Sequence, residues 1–217
     1  MNQVEETGGA ETAAAAAETA GPPGERAATF ERRTAETSIR VHLTLDGTGR
    51  ARIDTGLGFL DHMLAALAKH ARIDLELSCE GDLEVDDHHT AEDCALALGQ
   101  ALDRALGERR GIRRFGTAHA PLDEALARVV VDLSGRPWHE VDLGFRREMV
   151  GEVATENLTH FFQSLATAAR MALHVDLLRG ENDHHRAEAA FKALALALRE
   201  AVARDGSGDV PSTKGVL

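Results

Sequence analysis

Two stretches of this chain carry nearly the same chemistry. Asp86-Asp87-His88-His89-Thr90-Ala91-Glu92-Asp93 and Asn182-Asp183-His184-His185-Arg186-Ala187-Glu188 both contain Asp-His-His-x-Ala-Glu, and each opens a long Ala/Leu-rich pattern of helical period. On an α-helix, residues four apart share a face, while adjacent residues diverge by about 100°. His88 and Glu92 can therefore grip one ion while His89 looks elsewhere, and His184, Glu188 and His185 repeat the arrangement. Imidazole with carboxylate is metal-ligand chemistry. Two such helices brought together make a site for two ions.

His62 and His160, each ahead of one double-histidine motif, extend the candidate ligands to His62, His88, His89, Glu92, His160, His184, His185 and Glu188. A lone helical histidine is more often a surface or core residue than a ligand. The repetition carries the reading, because packing gives no reason to repeat a costly imidazole pair. The donor set suits Zn, Fe, Mn or Ni. Four protein ligands on each of two ions would close a tetrahedral zinc site, whereas an octahedral ion keeps two positions open, so a catalytic role favours Mn or Fe. Helix geometry suggests that each His-x-x-x-Glu pair holds one ion and that the outward histidine of the opposite repeat completes it. Asp61, Asp87 and Asp183 adjoin ligand histidines. Carboxylates so placed either orient imidazoles or cap helices, and capping is the expectation for Asp87 and Asp183.

The elements that must position these residues follow from periodicity. Residues 38–45 alternate as a half-buried strand, Asp46-Gly47-Thr48-Gly49 turns, and residues 51–55 return as a second strand. Residues 59–70 have helical spacing, 73–79 alternate again, Leu83 and Val85 suggest a further short strand, and a helix runs over 88–106. The second half repeats the order: strands at 126–133 and 138–143, a helix over 155–171 capped by Thr155, a strand at 173–177 and a helix over 184–203. His62 with Leu67-Ala68 matches His160 with Leu165-Ala166 at a nearly constant offset. This is an internal duplication of two β-β-α-β-α halves, residues 29–118 and 119–217, in one compact α/β (α+β) domain with sheets against a helical layer. Residues 1–28, rich in Ala, Glu, Thr and Gly with almost no large apolar residue, read as a disordered tail.

Composition excludes several functions. A net charge of −12 with no long basic run argues against a nucleic-acid surface, though an anionic small substrate remains open where a few Arg and Lys collect. Two cysteines, Cys79 and Cys94, make no disulfide framework and suit a reducing cytosol. No apolar run reaches about 18 residues and no secretory signal opens the chain, so neither a membrane span nor export is expected. Aromatic residues are only 4%, so the core must be Leu, Val, Ile and Ala.

Several motifs together resemble the imidazoleglycerol-phosphate dehydratase family over residues 30–217. They are Arg33-x-Thr-x-Glu36-Thr37 (with Thr34 and Ala35 between), Gly58-Phe59-Leu60-Asp61-His62-Met63, Asp87-His88-His89-Thr90-x-Glu92-Asp93, Pro121-Leu122-Asp123-Glu124-Ala125-Leu126, Asp132-Leu133-Ser134-Gly135-Arg136-Pro137, the second double-histidine motif, and Pro211-Ser212-Thr213-Lys214-Gly215. The resemblance implies a fold like the second domain of ribosomal protein S5, duplicated, with helices between two sheets. It implies a carbon–oxygen hydro-lyase of histidine biosynthesis that converts D-erythro-imidazole glycerol phosphate to imidazole acetol phosphate and water. It implies two Mn(II) per active site, one held by His62, His88, Glu92 and His185, the other by His89, His160, His184 and Glu188. It also implies a homo-oligomeric shell of 24 subunits with sites at subunit interfaces.

The chemistry expected is removal of water across a non-acidic C–H and a poor leaving group. Metal-bound imidazolate would push out the adjacent hydroxyl, and loss of the next carbon's proton would give an enol, then the ketone. Glu36 is the expected general acid/base by resemblance. Arg114, Arg136, Lys192, Ser212, Thr213 and Lys214 sit where the family binds substrate phosphate or lines the pocket, beside Glu36 and the ligands His62, His88, His89, Glu92, His184, His185 and Glu188. Arginine forks and a lysine point charge suit phosphate. Two other readings compete. A hydrolase would use a metal-bound hydroxide between the ions. A metal-storage shell of ferritin type would need Glu-x-x-His spacing on a four-helix bundle, which the interrupting strands argue against.

Overall fold

A computed structural model describes residues 15–20 and 24–217. Two sheets enclose a layer of four helices. The first sheet has the order β1-β2-β3-β5-β4, formed by β1 (Ala15–Ala20), β2 (Ala27–Arg33), β3 (Thr37–Thr44), β4 (Ala51–Asp54) and β5 (Asp74–Gly81). The second has the order β6-β7-β11-β8, formed by β6 (Phe115–Leu122), β7 (Ala125–Asp132), β8 (Trp138–Asp142) and β11 (Ala172–Arg179). A small hairpin, β9 (Met149–Val150) and β10 (Val153–Ala154), precedes the third helix. The helices are α1 (Gly58–Ala71), α2 (His88–Leu106), α3 (Thr155–Ala168) and α4 (Asp183–Ala201).

The duplication is visible in the pairing. β2-β3-β5-β4 and β6-β7-β11-β8 are the same sheet twice, with β4 and β8 the parallel edge strands and the other pairs antiparallel. β3 and β7 share one burial pattern: Ile39, Val41 and Leu43 in the first, and Ala127, Val129 and Val131 in the second, all face the helices. Full burial of each such aliphatic side chain contributes about 1.5–3 kcal/mol, smaller for alanine. α1 and α2 pack on the first sheet, α3 and α4 on the second, and the contacts α2–α3 and α1–α4 join the halves. The small faces of these helices allow close approach. A Cβ on Gly99 of α2 would lie 2.6 Å from that of Ala168 on α3. Phe161, Phe162 and Phe191 fill the wider space, with ring centroids 4.7 Å apart for Phe162 and Phe191.

Four expectations are corrected. Each half is β-β-β-α-β-α, because β2 and β6 precede the strands that periodicity revealed. β6 buries only Gly116 and Ala120, since α4 lies directly on it: a Cβ at Gly116 would be 1.9 Å from the Ala197 carbonyl oxygen. A strand whose buried face carries only Gly and Ala leaves no alternation to read. Second, the stretch expected to be disordered to residue 28 contains β1, paired from Ala15↔Arg33 to Ala20↔Ala28, and β2 itself begins at Ala27. The open edge of β2 offers backbone donors and acceptors to any extended chain, whatever its side chains. Residues 1–14 and 21–23 of that tail lie outside the described residues. Third, Leu83 and Val85 lie in a turn, not a strand, and Val85 is exposed.

The fourth correction concerns the helix caps. Asp86 and Asn182 accept the N–H of His88 and His184, at 2.8 and 2.9 Å. Asp87 and Asp183 instead reach across the fold, Asp87 to the N–H of Ala154 and Asp183 to those of Arg146 and Arg147. Thr155 caps no helix; its hydroxyl donates to the carbonyls of Arg147 and Glu148. These bonds fix the loops beside the double-histidine turns.

Candidate metal and substrate site

The double histidines occupy the first turns of α2 and α4, and two of the four turn toward helices of the other half. His88 and Glu92 on α2 meet His160 on α3. The Nε2 of His160 is 2.9 Å from Glu92 Oε1, that of His88 is 3.9 Å from Glu92 Oε2, and the two rings stack at 5.2 Å between centroids. His184 and Glu188 on α4 meet His62 on α1. Nε2 of His184 and of His62 lie 3.2 and 3.3 Å from Glu188 Oε2. In each trio the donor atoms lie within 4.8 Å of one another. Two imidazoles and a carboxylate at that spacing fit a divalent ion of the Mn, Fe or Zn type and leave coordination positions for further ligands.

This grouping differs from the partition that the family resemblance implied. Within one chain His62 joins His184 and Glu188, and His160 joins His88 and Glu92. The cause is the pairing of helices, α1 with α4 and α2 with α3. His89 and His185 stand in neither trio. Each points away from its cluster and is held by carboxylates: His89 Nδ1 by Asp82 at 3.1 Å, and His185 Nδ1 by Glu124 at 2.7 Å. Glu36 Oε1 lies 3.7 Å from His89 Nε2. The expected general acid/base is therefore beside a candidate ligand.

Charge around the clusters follows from these contacts. Asp82 holds the His89 imidazole above its ordinary pKa, and Glu124 does the same for His185. Glu124 itself is lowered to about 2, first by the N–H of Asn182 and then by His185 and the N–H of Glu181. Burial opposes ionisation of Glu188, but Lys192, 2.6 Å away, and His62 outweigh it and lower its pKa. Asn157, Asp82 and Glu124 escaped the sequence reading as site residues. Asn157 Oδ1 lies 2.8 Å from His88 Nδ1 and sits on α3 beside His160, where only the fold could place it. Asp61 does not orient His62; it accepts from the N–H and hydroxyl of Thr55.

The phosphate candidates separate into two groups. Lys192 is at the α4 trio. Arg114, Arg136 and the tail are not: the N–H of Arg114 bonds the Ala201 carbonyl, and at 1.5 Å per residue Ala201 is about 25 Å along α4 from His184. There the Arg114 fork binds both oxygens of Asp132, at 2.6 and 3.0 Å, and its Nη1 donates to the Pro211 carbonyl at 2.8 Å. The chain then runs past Ser212, Thr213 and Lys214 to Leu217, whose backbone lies against the Gly135 turn beside Arg136. One chain thus holds candidate metal donors at one end of α4 and the Arg and tail cluster at the other.

The family model described as imidazoleglycerol-phosphate dehydratase matches residues 55–198, which span both trios. The chain belongs to the imidazoleglycerol-phosphate dehydratase family. It is accordingly an enzyme of the hydro-lyase class. A dehydratase of Phytophthora nicotianae is 61% identical over 206 residues, 95% of this chain but 46% of that longer protein. The dehydratase of Phaffia rhodozyma is 61% identical over 197 residues, 88% of this chain and 96% of its own length. Among solved structures, the dehydratase of Staphylococcus aureus subsp. aureus N315 superposes with a TM-score of 0.74 at 37% identity, covering 82% of this chain and 99% of that one. The Pyrococcus furiosus enzyme in complex with (S)-C348 gives 0.75 at 39%, covering 86% and 99%. Both bear out the duplicated α/β architecture. Among the described residues, no helix is long and apolar enough to cross a membrane.

Proposed function

We propose that this chain dehydrates imidazole glycerol phosphate to imidazole acetol phosphate in histidine biosynthesis, with two Mn(II) per site. The observation that carries the reading is the pair of cross-half trios, His62-His184-Glu188 and His88-Glu92-His160, each offering two imidazoles and one carboxylate. When bound, the ions supply Lewis acidity toward the ring nitrogens of the substrate and favour its anionic form. His89 and His185, turned away from both trios, are the fourth donors, given to sites shared with another copy of the chain. Glu36 carries the proton between the substrate carbon and the departing oxygen. Its carboxylate is half exposed and close to His89, so it reaches a substrate lying over that ring. Lys192, Arg136, Arg114 and the Ser212-Thr213-Lys214 segment hold the phosphate, those at the far end of α4 acting in a neighbouring copy's site.

The separation of about 25 Å along α4 supports an assembly in which several subunits complete each site, the 24-subunit shell of the family. The cytosol is the compartment that two reduced, buried cysteines suit. The test is to strip the metal, then follow dehydration and particle size while Mn(II) is added back. Activity and the large particle return together. Full activity in metal-free protein would sink the reading.

A further inference from the structure

Glu36 and Glu124 stand at the same place in two equivalent hairpins. Thr37 opens β3 and Ala125 opens β7, so each glutamate is the residue just before the matching strand. Each turn hangs beside the first turn of a double-histidine helix, yet the two carboxylates are used differently. In the first half the residue after β5 is Asp82, and both its oxygens lie 3.1–3.2 Å from His89 Nδ1. Glu36 is left facing Nε2 at 3.7 Å. In the second half β11 matches β5, and Glu181 follows Gly180 as Asp82 follows Gly81, but Glu181 gives its backbone N–H to Glu124 at 3.1 Å. There the hairpin glutamate takes over: Glu124 Oε2 lies 2.7 Å from His185 Nδ1, while Oε1 accepts the N–H groups of Glu181 and Asn182 at 3.1 and 2.9 Å.

We propose that Glu124 is a positioning residue: it locks His185 in the Nδ1–H tautomer and leaves Nε2 a bare lone pair for a metal ion, the duty that Asp82 performs for His89. The inference rests on the metal reading above. A carboxylate has no proton to give, so an Oε2 at this distance must accept, and the neutral ring then carries its proton on Nδ1. Among the described residues the only carboxylate oxygen within 4 Å of Nε2 is Asp123 Oδ2, 3.8 Å away, beyond hydrogen-bond range, on a largely exposed side chain. Outer partners of this kind set the orientation and basicity of ligand histidines. The division of labour also frees Glu36 in the first half: with Asp82 on the ring, that carboxylate has no imidazole to hold.

The substitution Glu124→Gln separates positioning from loop support. The two backbone N–H groups keep an amide oxygen in the place of Oε1. The amide NH2 then takes the place of Oε2, donates to Nδ1, and drives the ring proton to Nε2, where it blocks ligation. Metal-stripped full-length E124Q, titrated with Mn(II) and read by the EPR signal of free ion, should bind about 10–100-fold more weakly at one of two sites. Its metal-free melting temperature should match that of the parent. Asp82→Asn is the contrast: its oxygens hold no backbone donor, so the amide turns its oxygen to His89 and affinity changes little. Wild-type affinity in E124Q would overturn the proposal while leaving the metal reading intact, and a parent chain that binds no Mn(II) would remove both. Should E124Q fail to fold, the 15N shifts of the His185 ring in the metal-free parent decide, Nδ1–H supporting the proposal and Nε2–H overturning it.

Discussion

His160 on α3 lies 2.9 Å from the Glu92 carboxylate on α2, so one candidate ion site is built across the two halves of the duplication. Its counterpart joins His62 on α1 to Glu188 on α4 at 3.3 Å. On the proposed function, this grouping would make His160 and Glu92 donors to one ion, and His62 and Glu188 donors to the other. His160→Gln with Glu92→Gln should therefore leave one manganese per chain, the same count as either change alone. His160→Gln with Glu188→Gln should leave none. Elemental analysis after dialysis measures the counts. If the second pair also retains one ion, the ligands are partitioned as the family resemblance implied and not as the helices pair here.

Glu36 differs from the other carboxylates near the histidines in what holds it. Its N–H is fixed by the Thr34 hydroxyl at 3.1 Å, and its carbonyl accepts from Asp82, but its carboxylate faces solvent and His89. A fixed backbone with a free carboxylate suits proton transfer. Glu36→Gln should lower kcat by about 10²–10⁴-fold, the usual worth of a general acid/base. Manganese content and KM should barely move. Normal turnover with both ions bound would remove Glu36 from the mechanism.

Removal of residues 211–217 tests the tail. Arg114 holds the Pro211 carbonyl while its fork grips Asp132, so the tail is tethered before substrate arrives. If Ser212, Thr213 and Lys214 then close on phosphate, the truncated enzyme loses charge-assisted contacts that each contribute about 1.5–3 kcal/mol, and KM should rise at least tenfold. Steady-state kinetics of the full-length and truncated enzymes checks this, and an unchanged KM would show the tail to be a bystander. Arg114→Ala should raise KM in the same direction by releasing the tether.

Much of this was legible in the sequence, and the failures have physical causes. The four helices and the inner strands carry strong periods of 3.6 and 2 because each presents one apolar face. β2 and β6 escaped because their buried faces are built largely of Ala and Gly, which close helix packing demands and hydropathy barely registers. The candidate ligand types stood out in the sequence because an imidazole pair is costly to repeat. The grouping of His62 and His160 was not, since spacing along one helix says nothing of which helix packs beside it. Asp86 and Asn182 displaced Asp87 and Asp183 as caps because cap position depends on the loop's dihedral angles, and the buried aspartates had loop amides to satisfy. The separation of Arg114 from His184 along α4 within one chain is likewise a tertiary fact that spacing in the sequence does not give.

Asp74 offers a test of the fold that leaves the site alone. Its Oδ1 accepts the N–H groups of Thr48, Gly49 and Arg50 at 2.8, 3.0 and 2.9 Å, and Oδ2 takes the Arg50 guanidinium. These bonds hold the β3–β4 turn onto the start of β5. Burial alone would raise the carboxyl's pKa, but the amides of Arg50 and Thr48 and the Arg50 guanidinium outweigh it and hold it well below the ordinary carboxylate range. A depressed folded-state pKa means that the unfolded chain takes up the proton first as pH falls. The stabilisation is therefore complete above the unfolded value of about 3.9 and drains away as pH falls through the lower, folded-state value. Asp74→Asn keeps the volume and one acceptor but places an NH2 against the guanidinium. Denaturant unfolding at pH 7 should show a loss of ~2 kcal/mol for this variant. The gap from the parent should narrow steadily once the pH drops below about 4. A gap independent of pH over that range would mean that the carboxylate's charge plays no part in holding the turn.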